Sequence, residues 1–122
     1  LTQDYRAIYN SMILCNMTTF LPEVIIDMIN AAIGLNFNLK EFKKLGERIY
    51  MMKRMFNLKM GITPEDDKLP KILLNPVNEG GSAGKTTDFD KLKEAYYTYR
   101  SFDLNTGYPS REKLKYLGLD YK

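Results

Sequence analysis

Apolar residues recur every three or four positions along most of the chain, and this spacing predicts amphipathic helices. The first such segment runs from Thr2 to about Leu14 and ends beside Cys15. The second has Pro22 in its first turn and should stop at Gly34, a residue type common just after a helix. Its apolar positions predict a helix buried on most sides: Leu21, Val24, Ile25, Met28, Ile29, Ala32 and Ile33.

The longest predicted helix begins after Asn38, a suitable N-cap, and extends to about Asn57. One stripe of this helix is expected to pack the core; it consists of Phe42, Leu45, Ile49, Met52 and Phe56. Met51 and Met55 lie beside the stripe. Because methionine is flexible, we expect these two side chains to fill irregular gaps in the core.

Turn and cap residues divide the second half of the chain. Thr63, Pro64 and Asp66 predict a short capped helical turn. Residues 69–87 show no sustained apolar period and predict a long surface loop, with breakers at Pro70, Pro76, Gly80, Gly81 and Gly84. Asp88 is the expected N-cap of the next helix, whose apolar residues lie on one side: Phe89, Leu92, Tyr96, Tyr99 and Phe102. Ser110 is the expected N-cap of a last short helix that contains Leu114 and Leu117.

No segment alternates as a strand would, so the predicted fold class is all-α: an irregular bundle of about five helices with one long loop containing glycine and proline. A length of 122 residues suits one core, and we expect residues 1–122 to form a single helical domain. The chain begins at Leu1, inside a predicted helix and without an initiator methionine, which suggests that it belongs to a longer polypeptide.

The chain contains no histidine, which removes the commonest general base and the commonest ligand of transition metals. Cys15 is the single cysteine, so no internal disulfide and no closed multi-cysteine metal site can form from this chain alone. We therefore predict no catalytic residue here. On local pattern alone, a lone cysteine in a helical domain is typical of a small buried apolar residue.

Charge and hydropathy limit the expected partners. The formal net charge of +3 comes from lysines and arginines spread along helical faces, which is typical of a solvated surface and predicts no nucleic-acid partner. No apolar run approaches the roughly 20 residues that span a bilayer, and no secretory leader is present. We expect a cytoplasmic protein without a membrane partner.

Two segments only partly match known ligand-binding motifs. The stretch from Gly80 to Thr86 lacks the first glycine of a phosphate-binding loop, since Glu79 stands there. Asp103, Asn105 and Gly107 resemble the start of a calcium loop, but its bidentate glutamate is missing. A surface loop and an interhelical turn are the better interpretations.

Several longer motifs occur in one order along the chain: Leu45-Gly46-Glu47-Arg48-Ile49, Phe56-Asn57, Asp66-Asp67-Lys68-Leu69-Pro70, Tyr96-Tyr97, Arg100, Asp103, Gly107, Pro109, Glu112-Lys113-Leu114 and Leu117-Gly118-Leu119. Together they resemble the carboxy-terminal domain of the tungsten-containing aldehyde ferredoxin oxidoreductase family. The resemblance covers nearly the whole chain.

That family opens this domain with Asp-x-x-Gly-Leu-Cys, and the corresponding residues here are Asn10, Ile13, Leu14 and Cys15. The resemblance implies that Cys15 is one ligand of a 4Fe-4S cluster, and that Asn10, Ile13 and Leu14 lie against a tungsten (or molybdenum) bis-pyranopterin. Both cofactors would be held mainly by other domains. Asn10 replaces the family's Asp and Ile13 its Gly, which weakens the pterin contact more than the cluster ligand. Ser101 and Phe102 replace a Gly-Trp pair, a departure that indicates a divergent member of the family.

The implied parent reaction is oxidation of an aldehyde to a carboxylic acid, with electrons passing through the cluster to ferredoxin. Expected partners are the remaining domains of the parent chain, ferredoxin and, as a candidate, a second copy of the parent. The isolated fragment should be inactive and should bind no metal stoichiometrically. Two alternatives are a tungsten-dependent reductase of the benzoyl-coenzyme A reductase type and a metal-free helical interaction domain. An exposed apolar surface around Asn10, Leu14 and Cys15 would favour the interdomain interpretation, and a buried one would oppose it.

Overall fold

The computed structural model describes residues 2–120 and confirms the predicted all-α class. In this range the chain forms α1 (Thr2–Ser11), α2 (Pro22–Ile33), α3 (Leu39–Lys59), α4 (Phe89–Arg100) and α5 (Arg111–Leu117). Two short 3-10 helices, Pro64–Asp66 and Lys71–Leu74, lie between α3 and α4. Over the described residues β structure is limited to isolated bridges, Val77 with Ala83 and Phe102 with Pro109. None of the described helices is both long and apolar enough to cross a membrane.

The chain divides into two compact units. The first unit holds the described residues up to Phe56 together with those from Leu114 onward, and the second holds Asn57–Lys113. In the first unit, side chains from α1, α2 and α3 form one buried cluster: Ile8, Tyr9, Ile25, Ile26, Ile29 and Phe42. Since a fully buried aliphatic or aromatic side chain contributes about 1.5–3 kcal/mol, this cluster is the main source of stability for the three helices.

Most predicted helix ends are confirmed, because they depend on local chemistry. Gly34 follows α2 in the left-handed conformation, with φ 66°. The predicted caps accept backbone N–H groups in the first turns of their helices: Asn38 from Lys40 and Glu41, Asp88 from Lys91, and Ser110 from Lys113. The Asp66 carboxylate accepts from the Thr63 N–H at 2.8 Å, as the predicted capping turn requires. Residues 70–88 are exposed throughout, as expected of the long loop.

The prediction that α2 is buried on most sides is wrong. Ile25, Ile26 and Ile29 are buried, but Leu21, Val24, Met28 and Ile33 are 40–69% exposed. The first unit supplies packing partners for one side of this helix only. The apolar residues on its outer side are therefore only partly buried within this unit.

The predicted core stripe of α3 is only half right. Phe42 is buried, yet Met52 and Phe56 are more than half exposed, while Met51 is fully buried. Nine residues separate Phe42 from Met51, which is about two and a half helical turns, so they lie on opposite sides of the helix. The buried side of α3 thus changes along its length, and of the two methionines expected in the core Met51 is fully buried while Met55 is half-buried.

The second unit buries polar side chains of α4 together with only part of the predicted apolar side, of which Phe102 is buried. Tyr97 and Arg100 are buried, whereas Leu92 and Tyr99 are more than half exposed. The Tyr97 hydroxyl donates a hydrogen bond to the Asp67 carboxylate. The Arg100 guanidinium lies 5.6 Å and 5.7 Å from the ring centroids of Tyr96 and Tyr99. Buried polar groups require such partners, and the apolar spacing alone does not reveal them.

A close backbone approach in the first unit generates a testable prediction. A Cβ added at Gly46 of α3 would lie 2.5 Å from the Asp4 carbonyl oxygen of α1. We expect Gly46→Ala to lower the free energy of unfolding by about 1–3 kcal/mol, because one of the two backbones must move. Gly81→Ala is the control, since a Cβ there would meet nothing within 4 Å. Urea unfolding followed by circular dichroism measures both, and equal midpoints for the two variants would contradict the prediction.

Candidate functional site

The candidate site is the loop of residues 12–21 between α1 and α2, here called the cysteine loop. Cys15 is exposed. Its neighbours Ile13 and Met17 are each 91% exposed. Leu14 is half-buried and packs against the core cluster of the first unit. One side of the loop therefore rests on the core, and the other presents a thiol and two large apolar side chains to solvent.

Helix α1 ends in a Schellman motif that places Ile13 in a strained conformation. The Leu14 N–H donates to the Tyr9 carbonyl and the Ile13 N–H to the Asn10 carbonyl, both at 3.2 Å. In this motif the residue just past the helix adopts the left-handed conformation, which glycine favours. Ile13 has φ 58°. For a β-branched residue this conformation costs roughly 1–2 kcal/mol.

Helix α4 ends in the same way at Ser101, which also has φ 58°. The Phe102 N–H donates to the Tyr97 carbonyl at 2.8 Å, and the Ser101 N–H donates to the Thr98 carbonyl at 3.1 Å. Among the described residues, Ile13 and Ser101 are the non-glycine positions with positive φ. Both stand where the family pattern has glycine. At both positions the backbone of this chain has the left-handed conformation that glycine favours, although the residue is not glycine.

Hydrogen bonds from α1 fix the rest of the cysteine loop. The hydroxyl of Tyr9, which is fully buried, lies 3.0 Å from both the carbonyl oxygen and the Oγ1 of Thr18. Thr18 in turn donates to the Cys15 carbonyl from its N–H (3.1 Å) and from its hydroxyl (2.7 Å). Farther along, the Tyr5 hydroxyl donates to the Phe20 carbonyl at 2.5 Å. The backbone around Cys15 is therefore held in place by side chains of the core helix.

The environment of these tyrosines is partly apolar and partly cationic. The Arg6 guanidinium lies 5.2 Å from the ring centroid of Tyr9. Burial raises the pKa of Tyr5, with a further rise from Tyr9 and an opposing contribution from Arg6. Tyr5 therefore remains a protonated donor to the Phe20 carbonyl at neutral pH.

The structure brings the four residues predicted for the site to the C-terminal end of α1. Asn10 is exposed in its last turn, and Ile13, Leu14 and Cys15 follow directly. Within residues 2–120, no cluster of three or more His, Cys, Asp and Glu side chains is arranged to hold a metal ion. From its own residues, this loop can offer one exposed thiolate ligand. Tyr9 and Thr18, which position Cys15, were not identified as a contact from the sequence.

A pocket of about 240 Å³ lies in the first unit, next to the end of the cysteine loop. Its walls are mostly apolar and consist of Thr2, Asp4, Tyr5, Ile8, Phe20, Pro22, Leu39, Phe42 and Lys43. None of the four predicted site residues lines it. The pocket is therefore separate from the exposed thiol, although Tyr5 and Phe20 belong to both surroundings.

The calcium-like segment forms an ordinary turn, as predicted. Oδ1 of Asp103 accepts hydrogen bonds from the backbone N–H groups of Asn105 and Thr106 and from the Thr106 hydroxyl. The bond with the Thr106 hydroxyl is the largest of the effects that lower the pKa of Asp103. The carboxylate oxygen that a cation would need is thus used by the turn itself.

A family model described as "Aldehyde ferredoxin oxidoreductase, domains 2 & 3" matches residues 1–119. The chain belongs to this family. It is 40% identical to a tungsten-containing aldehyde ferredoxin oxidoreductase of Pyrococcus abyssi, 39% identical to that of Pyrococcus furiosus and 37% identical to that of Thermococcus kodakarensis. Each comparison covers 98% of this chain and 20% of the relative, so the chain spans one-fifth of the length of these relatives.

Several motifs shared with the aldehyde ferredoxin oxidoreductase family have structural roles in this chain. Arg48 donates from Nη1 to the Leu117 carbonyl at 2.7 Å, which satisfies an acceptor at the end of α5. Gly118 follows with φ 64°, and a Cβ there would lie 2.8 Å from the same guanidinium nitrogen. The exposed side chains of the cysteine loop, Ile13, Cys15 and Met17, take no part in these structural contacts.

The two left-handed residues give a prediction on stability. We expect Ile13→Gly and Ser101→Gly each to raise the free energy of unfolding by up to about 1 kcal/mol, because relief of backbone strain exceeds the entropic cost of glycine. Ile33→Gly is the matched control: Ile33 is also exposed but is the last residue of α2 and has helical backbone, so glycine there should destabilise by up to about 1 kcal/mol. Urea unfolding of the three variants measures the effects. If Ile13→Gly and Ile33→Gly change the free energy of unfolding in the same direction, the assignment of backbone strain to Ile13 is contradicted.

A second prediction concerns alkaline pH. Since burial raises the pKa of Tyr5 in the folded state, its contribution to stability is complete below the ordinary tyrosine pKa of about 10 and is lost as pH rises through the folded pKa. Unfolding free energy should therefore decline above about pH 10 more steeply in the unmodified chain than in Tyr5→Phe. Tyr99→Phe, which alters an exposed tyrosine, should retain the steep decline. If the free energy of unfolding depends on pH in the same way in the unmodified chain and in Tyr5→Phe, the stabilising role of the Tyr5 hydroxyl is contradicted.

Proposed function

We propose that this chain is the carboxy-terminal part of a tungsten-containing oxidoreductase that oxidises aldehydes to carboxylic acids and passes the electrons through an iron-sulfur cluster to ferredoxin. Membership of the family and the names of the relatives support this proposal. Those names also favour aldehyde oxidation over the benzoyl-coenzyme A reductase alternative. The remaining domains of the parent polypeptide are the main proposed partners, with ferredoxin as electron acceptor, a second copy as a candidate and the cytoplasm as location.

The observation that carries the proposal is the exposure of Cys15 on a loop with a fixed backbone. A 4Fe-4S cluster is held by four thiolates, and one domain can donate a single ligand while another donates three. An exposed thiol can reach a metal outside the unit, whereas a cysteine sealed in the core cannot. The alternative in which Cys15 is a buried core residue is contradicted by this structure.

The chain's residues would position the ligand rather than perform the chemistry. When bound, the cluster supplies one-electron transfer, and its potential depends on burial and on hydrogen bonds to its sulfurs. Cys15 would supply one thiolate, and Leu14 would fix the direction of the loop by packing into the core. Tyr9 and Thr18 would hold the Cys15 backbone at a set distance from α1. We assign no acid, base or nucleophile to this chain.

The end of α1 is also the proposed contact with the tungsten (or molybdenum) bis-pyranopterin. The Asn10 side chain is exposed and can both donate and accept hydrogen bonds, although it lacks the charge of an aspartate. Ile13 retains the left-handed backbone of a glycine, so the path of the chain past the cofactor would be kept. Its side chain adds bulk on the outer surface of that path. Leu14 would contribute the apolar wall behind it.

The test is Cys15→Ser in the full-length enzyme. A hard, weakly acidic oxygen in place of a thiolate should make the cluster labile, so iron content, the reduced-state paramagnetic signal and ferredoxin-linked turnover should all fall sharply. Ser11→Ala is the control: it alters the same end of α1 and removes a hydroxyl that donates to the Ala7 carbonyl, but no proposed ligand. If Cys15→Ser keeps full iron, an unchanged signal and normal turnover with ferredoxin, the role of Cys15 as a ligand is wrong.

A further inference from the structure

The pocket of the first unit is a concave site that the proposed cluster ligand does not use. Its volume is about 240 Å³. A cavity of roughly 150 Å³ lined by apolar side chains accepts a benzene ring. The pocket therefore has room for one aromatic ring, or a short branched chain, together with a small polar group.

The walls of this pocket are apolar and are held by contacts with one another. Ile8 and Phe42 are 2% and 3% exposed and supply buried apolar surface. The ring centroids of Tyr5 and Phe42 are 6.2 Å apart. The Tyr5 hydroxyl is already engaged by its hydrogen bond to the Phe20 carbonyl. A pocket with ordered walls loses little freedom when a ligand enters, which favours binding.

Two charged residues line the pocket, and they differ in accessibility. Asp4 is 7% exposed and has an interaction partner of its own. Lys43 is exposed and lies on α3, one turn after Leu39, which also lines the pocket. Lys40 adds a second exposed ammonium group on the same side of α3. The accessible charge at this apolar pocket is therefore positive.

Apolar walls beside an accessible ammonium group favour one class of ligand. A cation would be repelled by Lys43, and a neutral apolar molecule would make no use of it. A carboxylate can accept a charge-assisted hydrogen bond from lysine while its apolar part is buried. We propose that this pocket binds a small apolar monocarboxylate, about the size of benzoate or phenylacetate, and that Lys43 recognises the carboxylate. The site goes beyond the proposed function and does not depend on the cluster.

Crystals of the full-length protein soaked with 4-bromobenzoate test the location directly, because bromine is visible by anomalous scattering. We expect a bromine peak between the rings of Tyr5, Phe20 and Phe42, with the carboxylate directed towards Lys43. A pocket filled by another part of the polypeptide would overturn the proposal. So would a bromobenzoate bound in the reverse orientation, with its carboxylate against the aromatic rings.

Fluorine NMR titration of the full-length protein with 4-fluorobenzoate measures affinity at solution concentrations. We expect Lys43→Met, which keeps an apolar stem, to weaken binding about three- to tenfold. Lys53→Met is the matched control, since Lys53 is an exposed lysine of the same helix that does not line the pocket. Fluorobenzene has no carboxylate and should bind the unmodified protein and Lys43→Met equally. Equal 4-fluorobenzoate affinity for Lys43→Met and Lys53→Met would overturn the assignment of a carboxylate ligand.

A second substitution fills the pocket and isolates its share of the binding. Leu39 lines the pocket and is 41% exposed, so Leu39→Trp can place a larger ring there, and we expect it to weaken pocket binding of both probes at least about tenfold. Leu74→Trp is the control, because Leu74 is also 41% exposed but lies in the second unit. The parent protein can hold a carboxylate elsewhere, so the affinity lost in Leu39→Trp relative to Leu74→Trp defines this site.

Equal titrations of Leu39→Trp and Leu74→Trp would overturn the proposal. Iron content separates this result from the proposed function. Leu39→Trp should keep its iron, whereas Cys15→Ser should lose it. If the titrations are equal while Cys15→Ser loses iron, the carboxylate site is wrong and the cluster ligand stands. If Leu39→Trp loses pocket binding while Cys15→Ser keeps its iron, the carboxylate site stands and the cluster ligand is wrong.

Discussion

The hydroxyl of Tyr9 connects the core of the first unit to the loop that carries Cys15. Its ring is fully buried among side chains of α1, α2 and α3, while its oxygen lies 3.0 Å from two oxygens of Thr18. Thr18 holds the Cys15 carbonyl in turn. Because packing fixes the ring, the hydrogen bonds transmit that fixed position to an exposed thiol. The contact between Tyr9 and Thr18 thereby positions the proposed ligand Cys15, although neither residue is proposed to react or to bind the cluster.

Residues that carry the family resemblance divide into two groups. Gly46, Arg48 and Gly118 allow or make close contacts within the first unit, and Asp67 accepts the hydrogen bond of buried Tyr97 in the second. These residues account for folding. The cysteine loop differs because Ile13 and Met17 are almost fully exposed, and Ile13 has the left-handed backbone conformation that glycine favours.

Sequence patterns predicted the features that local chemistry controls. The ends of α2, the cap at Asn38 and the turn at Asp66 each depend on residues a few positions apart. Patterns failed where burial depends on residues that are distant in the sequence. The outer side of α2 has no packing partner that covers it in the first unit, and the buried side of α3 changes between Phe42 and Met51. Family resemblance located Cys15, but no periodic signal links Tyr9 to Thr18. The exposure of Cys15 also reversed the interpretation that a lone cysteine would ordinarily receive.

We propose that Cys15 is a ligand supplied by this chain to a cluster held mainly by the rest of the enzyme. The most direct measurement is an anomalous difference map at the iron absorption edge, from anaerobic crystals of the full-length oxidoreductase. We expect an iron peak within bonding distance of Cys15 Sγ, with the other three iron positions bonded to thiolates from outside this chain. A complete cluster elsewhere, with Cys15 Sγ bonded to no iron, would contradict it.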